Sequence, residues 1–209
     1  MNASAWKNRL NASLLAAVLA IGCFPAQAQD TGKARLLVAS PTLRGPYQQT
    51  TLIAVPVGGR HFGFILNRAT ELKLSALFPD HLPSSKVDDP VHIGGPEMYE
   101  MLFAVVRHDP GEQALPLFGE LFVTNRAAII DRIIEQTPND ARYYTGFVSW
   151  QPGELEGEIA KGIWYVTEPD VGLVFSRDTS GMWEELLKRL GIRNRPPLAP
   201  GLHETKLLY

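Results

Sequence analysis

Five short apolar runs, at residues 35–39, 52–57, 62–66, 102–106 and 120–124, are rich in Val, Ile, Leu and Phe and have Pro or Gly close by. Runs of this length and composition read as β-strands. Gly58-Gly59 separates the second from the third. Glycine tolerates the positive φ of a tight hairpin, so that pair is expected to be antiparallel.

Three segments carry a helical period instead. Across 126–136, Ile129, Ile130, Ile133 and Ile134 share one face, with Asn125 as the expected N-cap and Pro138 beyond the end. A shorter helix is expected over 152–161, with Pro152 in its first turn, Leu155 and Ile159 stacked, and Gly162 ending it. The third spans 182–190, capped by Thr179 or Ser180 and stopped by Gly191. No internal repeat of 20–50 residues is visible, which argues against a solenoid or propeller. The pattern is one of mixed α and β.

The first 28 residues read as a cleaved export leader. Lys7 and Arg9 make a basic start, residues 14–21 are only Ala, Val, Leu and Ile, and Ala26-Gln27-Ala28 is a small-x-small cleavage site. The apolar run falls short of the roughly 20 residues that span a bilayer. Ala20-Ile21-Gly22-Cys23 also approximates a lipoprotein box, in which Cys23 would become a lipidated first residue. The expected localisation is therefore periplasmic, with anchoring at Cys23 as the alternative.

Cys23 is the chain's single cysteine, so cleavage after Ala28 leaves no thiol, no disulfide and no cysteine-ligated metal. The leader takes Lys7 and Arg9 with it, moving the formal charge from −2 to −4. A surface of that sign does not recruit nucleic acid by bulk electrostatics. Of the 209 residues, those left form one domain with its own core. Residues 29–35 read as a linker, 36–190 as the domain, and 191–209, with Pro196, Pro197 and Pro200, as a Pro-rich tail.

Catalytic constellations are missing from the linear pattern. His61, His81, His92, His108 and His203 are scattered, with no pair at helical metal-ligand spacing. Ser149 lacks the Gly-x-Ser-x-Gly context of a nucleophile elbow. Gly94-Gly95 reads as a structural turn, with an anion-binding nest as the alternative; the phosphate-loop lysine is absent. Glu154 and Glu158, four apart, read as a solvated acidic face beside Lys161, with a shared proton or cation as the alternative. Trp150 and Trp164 flank this short helix as core seals or, alternatively, as a stacking platform.

The stretch Gly146-Phe147-Val148-Ser149-Trp150-Gln151-Pro152-Gly153-Glu154-Leu155-Glu156-Gly157-Glu158-Ile159, followed by Trp164, resembles the YqgE/AlgH family. Supporting segments are Val38-Ala39-Ser40-Pro41 leading to Pro46-Tyr47, then Gly63-Phe64-Ile65-Leu66-Asn67-Arg68, then Val91-His92-Ile93-Gly94-Gly95-Pro96, with Phe175 and Trp183 later. The resemblance spans about residues 36–190. It implies an α+β fold, a single compact domain with a mixed, mainly antiparallel curved sheet flanked by helices. Many members carry a Cys-Glu-His-like stretch on the early strand, and this chain has Val55-Pro56-Val57 there. No thiol or acid/base role of that stretch transfers.

The resemblance brings no agreed reaction, and the family name derives from a regulatory role in alginate production. The leading expectation is an exported, non-catalytic binding or interaction module, with no cofactor and an unidentified protein or small-molecule ligand. Gly94, Gly95, Pro96, Trp150, Glu154 and Trp164 are its candidate surface. A periplasmic hydrolase using carboxylates or a scattered Ser/His/Asp set is the second expectation. A transcriptional regulator that retains its N-terminus is the third.

Overall fold

Gly58 and Gly59, at φ +58° and +79°, turn the chain between β2 (Thr51–Val57) and β3 (Arg60–Ile65). The two strands pair antiparallel from Leu52↔Ile65 to Val57↔Arg60, the hairpin expected from the glycine pair. The computed structural model to which they belong describes residues 32–111 and 113–192. The expected leader with Cys23, the start of the linker and the tail beyond residue 192 lie outside the described residues.

Strand β1 (Arg35–Ala39) covers the free side of β2 and is itself flanked by β10 (Trp164–Thr167), both antiparallel. On the other side of β3 runs β9 (Ala141–Trp150), followed by β6 (Glu97–Val106), β8 (Leu121–Thr124) and β7 (Leu115–Phe118). Strand β5 (Pro90–Ile93) lies parallel to β9 and carries β4 (Ala69–Lys73) on its outer edge. Among the described residues only this β5–β9 pair is parallel, so the sheet is mixed and mainly antiparallel, within one α+β domain.

Two apolar clusters hold the domain. In the first, β1, β2 and β3 pack with Trp150, Leu155, Trp164, Trp183 and Leu186. The indole of Trp183 donates to the Ala39 carbonyl at 2.8 Å, fixing α5 (Met182–Arg189) to β1. In the second, Ile130, Ile133 and Ile134 of α2 (Ala127–Gln136) cover Val91, Ala104, Val106 and Tyr143, with Leu74 of α1 (Leu74–Leu77) alongside. The Ile face expected of this helix is the one buried.

Several local expectations are corrected. Arg126, not Asn125, caps α2, and the Thr124 hydroxyl accepts the Arg126 amide. Helix α3 (Glu154–Ala160) starts two residues later than expected, after Gly153 at φ +78°. Helix α5 is entered through Gly181 rather than Thr179 or Ser180, because Ser180 is held by the Asp178 carboxylate. Ile192 donates to the Leu187 carbonyl and Gly191 to that of Lys188, a Schellman closure that packs Ile192 on the core. Gly191 and Ile192 thus belong to the closure of α5. A further short helix, α4 (Val171–Val174), is capped by Asp170, whose carboxylate accepts the Gly172 amide.

Strand β9 is the main element the apolar runs missed. Its sequence mixes Arg142, Tyr143, Tyr144, Thr145 and Ser149 with small residues, so no aliphatic run marks it. It is nevertheless flanked along its length, by β6 on one side and by β5 then β3 on the other.

Candidate functional site

Segments far apart in sequence meet at the C-terminal half of β9. Gly146 has φ +67°, and a Cβ there would lie 2.3 Å from the Gly95 carbonyl oxygen and 2.7 Å from that of Glu97. The chains of β5 and β6 therefore close on β9 only because Gly146 has no side chain. The same holds for Gly95, whose Cβ would lie 2.2 Å from the Phe147 carbonyl. Gly94 donates to Thr145 at 2.8 Å, and its carbonyl accepts from Ile65 at 2.9 Å. With the Gly94 amide paired inside the sheet, the glycines are a close-packed crossing rather than an anion nest.

Past this crossing, Pro96 and Glu97 are exposed. The Ser149 hydroxyl donates to Glu97 Oε1 at 2.5 Å. Trp150 ends β9 and Trp164 begins β10; both are buried, at 3% and 4% exposure. That burial corrects their assignment to a ligand-facing surface. Their indole N–H groups converge on one atom, Glu158 Oε2, at 2.9 and 2.7 Å. A carboxylate accepting two N–H donors is a strong tether, and it locks α3 between two strands.

Glu154 and Glu158 accordingly do different work. Glu158 turns inward to the indoles, while the exposed Glu154 accepts the Gln151 amide at 2.8 Å and closes the turn into α3. Glu156, on the same helix, pairs with Arg35 at 3.3 Å and faces His61 Nε2 at 3.8 Å.

The loop between β1 and β2 closes the group. Asn67 accepts the Thr51 amide at 2.8 Å and donates to the Gln49 carbonyl at 2.8 Å. Arg68 donates to the Pro46 carbonyl and, at 2.9 Å, to the Thr50 hydroxyl. These contacts fold the loop so that Tyr47 lies edge-on to Trp164, with ring centroids 6.1 Å apart. Burial, reinforced by the carboxylates of Glu97 and Glu158, holds the Tyr47 hydroxyl above its usual pKa, with Arg68 opposing.

Ser149 thus meets Glu97, Glu97 and Arg68 act on Tyr47, and Asn67 and Arg68 hold the loop that carries it, while Pro96 and Glu154 are exposed beside Glu97 and after β9 respectively. Of the expected site residues, Pro96 and Glu154 face outward, Gly94 and Gly95 support the crossing, and the two tryptophans anchor it from below. Glu97, Tyr47 and Arg68 were not singled out as site residues, although two of them stand in the motif segments.

Among the described residues no hydrolytic set assembles there. Ser149 is bonded to a carboxylate, His81 Nδ1 to Ser84, and His92 Nδ1 to the Pro90 carbonyl. Two clefts, of about 300 and 180 Å3, are lined by other residues. Among the described residues no three of His, Asp and Glu group as a metal site.

A second polar cluster lies inside the fold. Arg142 is fully buried and bridges Asp89 Oδ2 and the Val174 carbonyl, both at 2.8 Å. Tyr144 is buried beside it, close enough for its hydroxyl to feel the guanidinium but without hydrogen-bond geometry. His92, 5.5 Å from Tyr144 ring to ring, is pushed down to about 4 by burial and then by Arg142. Nothing in the linear pattern distinguishes Arg142 from a surface arginine.

Comparison with known proteins agrees with this architecture. The family model described as AlgH-like matches residues 36–195. A UPF0301 protein of Ruegeria pomeroyi is 32% identical over 173 residues, covering 78% of this chain and 92% of the relative. One from Chlorobium phaeobacteroides is 28% identical, covering 80% and 93%. The solution structure of the AlgH protein of Pseudomonas aeruginosa superposes with a TM-score of 0.65 at 21% identity, covering 81% of this chain and 94% of that one. A crystal structure of a Corynebacterium diphtheriae protein gives 0.62 at 20% identity, covering 78% and 90%.

Proposed function

Since this chain belongs to the AlgH-like family, we propose that it is an exported, non-catalytic binding module that engages its ligand through the surface around Tyr47, Arg68, Pro96, Glu97, Ser149 and Glu154. One observation carries the reading: the separated motif segments converge on this surface, and their polar side chains hold the scaffold and one another. Asn67 and Arg68 fix the loop, Ser149 binds Glu97, and Glu158 ties the two tryptophans. A nucleophile would need a base within hydrogen-bond reach, oriented in turn by a third group. Ser149 has a carboxylate neighbour and a shallow setting instead.

Export rests on the leader pattern of residues 1–28. The family match starts downstream of it, at residue 36.

The test has two arms. Purified protein is assayed with ester, phosphomonoester and peptide substrates; no turnover above the blank is expected, and turnover that Ser149→Ala abolishes would overturn the reading. A photo-crosslinking residue at Pro96 is then compared in cells with one at Glu135, on the exposed side of α2. A discrete adduct at Pro96 alone supports the surface; equal or absent labelling at both sites removes it.

A further inference from the structure

Three strands, β4, β7 and β10, pair on one side only among the described residues. An open sheet edge invites another strand unless charge, proline or an irregular register blocks it. Strand β4 carries the exposed charges Glu71 and Lys73, and β7 has Pro116 and a register shift. Strand β10, Trp164-Tyr165-Val166-Thr167, has neither charge nor proline, and its register against β1 is unbroken.

Backbone register shows which groups this edge leaves open. Ser40 donates to the Ile163 carbonyl at 2.9 Å, so alternation along β1 makes Val38↔Tyr165 and Leu36↔Thr167 the hydrogen-bonded pairs. On the far side of β1, Ala39 donates to the Thr50 carbonyl at 2.9 Å, in keeping with that alternation. Trp164 and Val166 therefore point their backbone N–H and C=O groups away from β1. Among the described residues no hydrogen bond reaches this outer row. The Val166 side chain, on the same face as the buried Trp164, is 40% exposed.

Charge marks the two ends of the strand. Lys161 precedes it and Glu168 follows it; both are exposed and stand outside the ion pairs among the described residues. A short strand with opposite charges at its ends is complementary to itself when paired antiparallel. We propose that β10 is the interface for a second copy of this chain, the two strands pairing antiparallel about a two-fold axis at Tyr165. In that register Trp164 exchanges both backbone bonds with Val166 of the second copy, and Val166 with its Trp164, which satisfies the open groups of both edges. The two Tyr165 side chains form an aromatic cross-strand pair, and Lys161 of each copy comes within one residue of Glu168 of the other. So short an edge buries little surface, and the dimer is weak, with Kd about 100 µM. The pairing uses none of the polar side chains proposed above to meet the ligand.

Sedimentation equilibrium of the purified protein between about 10 µM and 1 mM tests this, and a reversible monomer–dimer equilibrium is expected. Val166→Pro removes an amide that only the second copy uses; it should be monomeric throughout, with its melting temperature at the low concentration unchanged. Lys161→Glu should weaken the dimer about fivefold, and adding Glu168→Lys should restore it. In a Cys23→Ser background, Tyr165→Cys should give a disulfide-linked dimer on mild oxidation and Thr167→Cys should not, since only the first brings two Cα atoms to about 4.5 Å. A monomer at the high concentration would overturn the proposal, as would a dimer that Val166→Pro leaves intact. So would Trp164 and Val166 amides equally protected from exchange at both concentrations, which would mark a segment of the same chain on the edge. None of these outcomes depends on labelling at Pro96.

Discussion

Glu158 and Glu154 show how far two identical side chains on one short helix diverge. Glu158→Ala would leave two buried indole N–H groups without an acceptor, so a loss of about 3 kcal/mol or more is expected in denaturant unfolding. Glu158→Gln keeps an acceptor oxygen without its charge and should cost about 1–2 kcal/mol. Glu154→Ala loses only an exposed turn contact, at about 0.5–1 kcal/mol. A Glu158→Ala variant no less stable than Glu154→Ala would refute the double tether. The sequence placed both carboxylates on one helix, but which one turns inward depends on where β9 and β10 set their tryptophans. His92 gives a second test. Its folded pKa of about 4 lies below the ordinary 6.5, so the native state favours the neutral ring. The stabilisation is complete above about pH 6.5 and is lost as pH falls toward about 4, at most about 3 kcal/mol. His92→Gln should flatten that part of the stability profile relative to the parent; parallel profiles would contradict it. Arg142, which helps depress His92, was invisible beforehand because burial of an arginine depends on Asp89 and Val174 arriving from other elements.

At the scale of elements, aliphatic runs and glycines were informative, and strands with mixed composition were not. The β2–β3 hairpin, the buried face of α2 and the glycines that end α3 and α5 follow from local chemistry. Strand β9 does not, since Arg142 and the tyrosines look polar until three neighbouring strands enclose them. Its kink provides the sharpest contrast between backbone strain and packing. Gly146 and Gly153 have nearly the same φ, +67° and +78°, but a Cβ at Gly153 meets nothing within 4 Å. Gly153→Ala should therefore cost about 1 kcal/mol from conformation alone. Gly146→Ala must in addition push two carbonyl oxygens away, and a loss above about 4 kcal/mol, or failure to fold, is expected. Thermal melts of the two variants decide this; similar melting temperatures would show that the crossing is looser than its backbone contacts indicate.

For the whole molecule, the family resemblance carried the α+β architecture, and the site emerged only when its segments were brought together. Pro46-Tyr47, Asn67-Arg68, Gly94-Gly95-Pro96 and Ser149-Trp150 are distant in the chain and adjacent in the fold, so their shared surface had no linear signature. The leader belongs to this scale too. Mass spectrometry of the protein recovered from a cell-envelope fraction should place the N-terminus at Gln29. Met1 would rule out processing, and a diacylglyceryl group on Cys23 would make the protein a lipid-anchored one. The position of β9 also constrains the order of folding. Strands β1, β2 and β3 emerge first, yet their neighbours are β10 and β9, and Trp183 closes onto Ala39 across 144 positions of chain. Contacts of such long range are entropically costly and form late. The cluster that joins β1, β2 and β3 to Trp164, Trp183 and Leu186 therefore closes only once the last quarter of the chain has been made, whereas every residue of the second cluster precedes Tyr144, so the half of the domain that begins first is completed last.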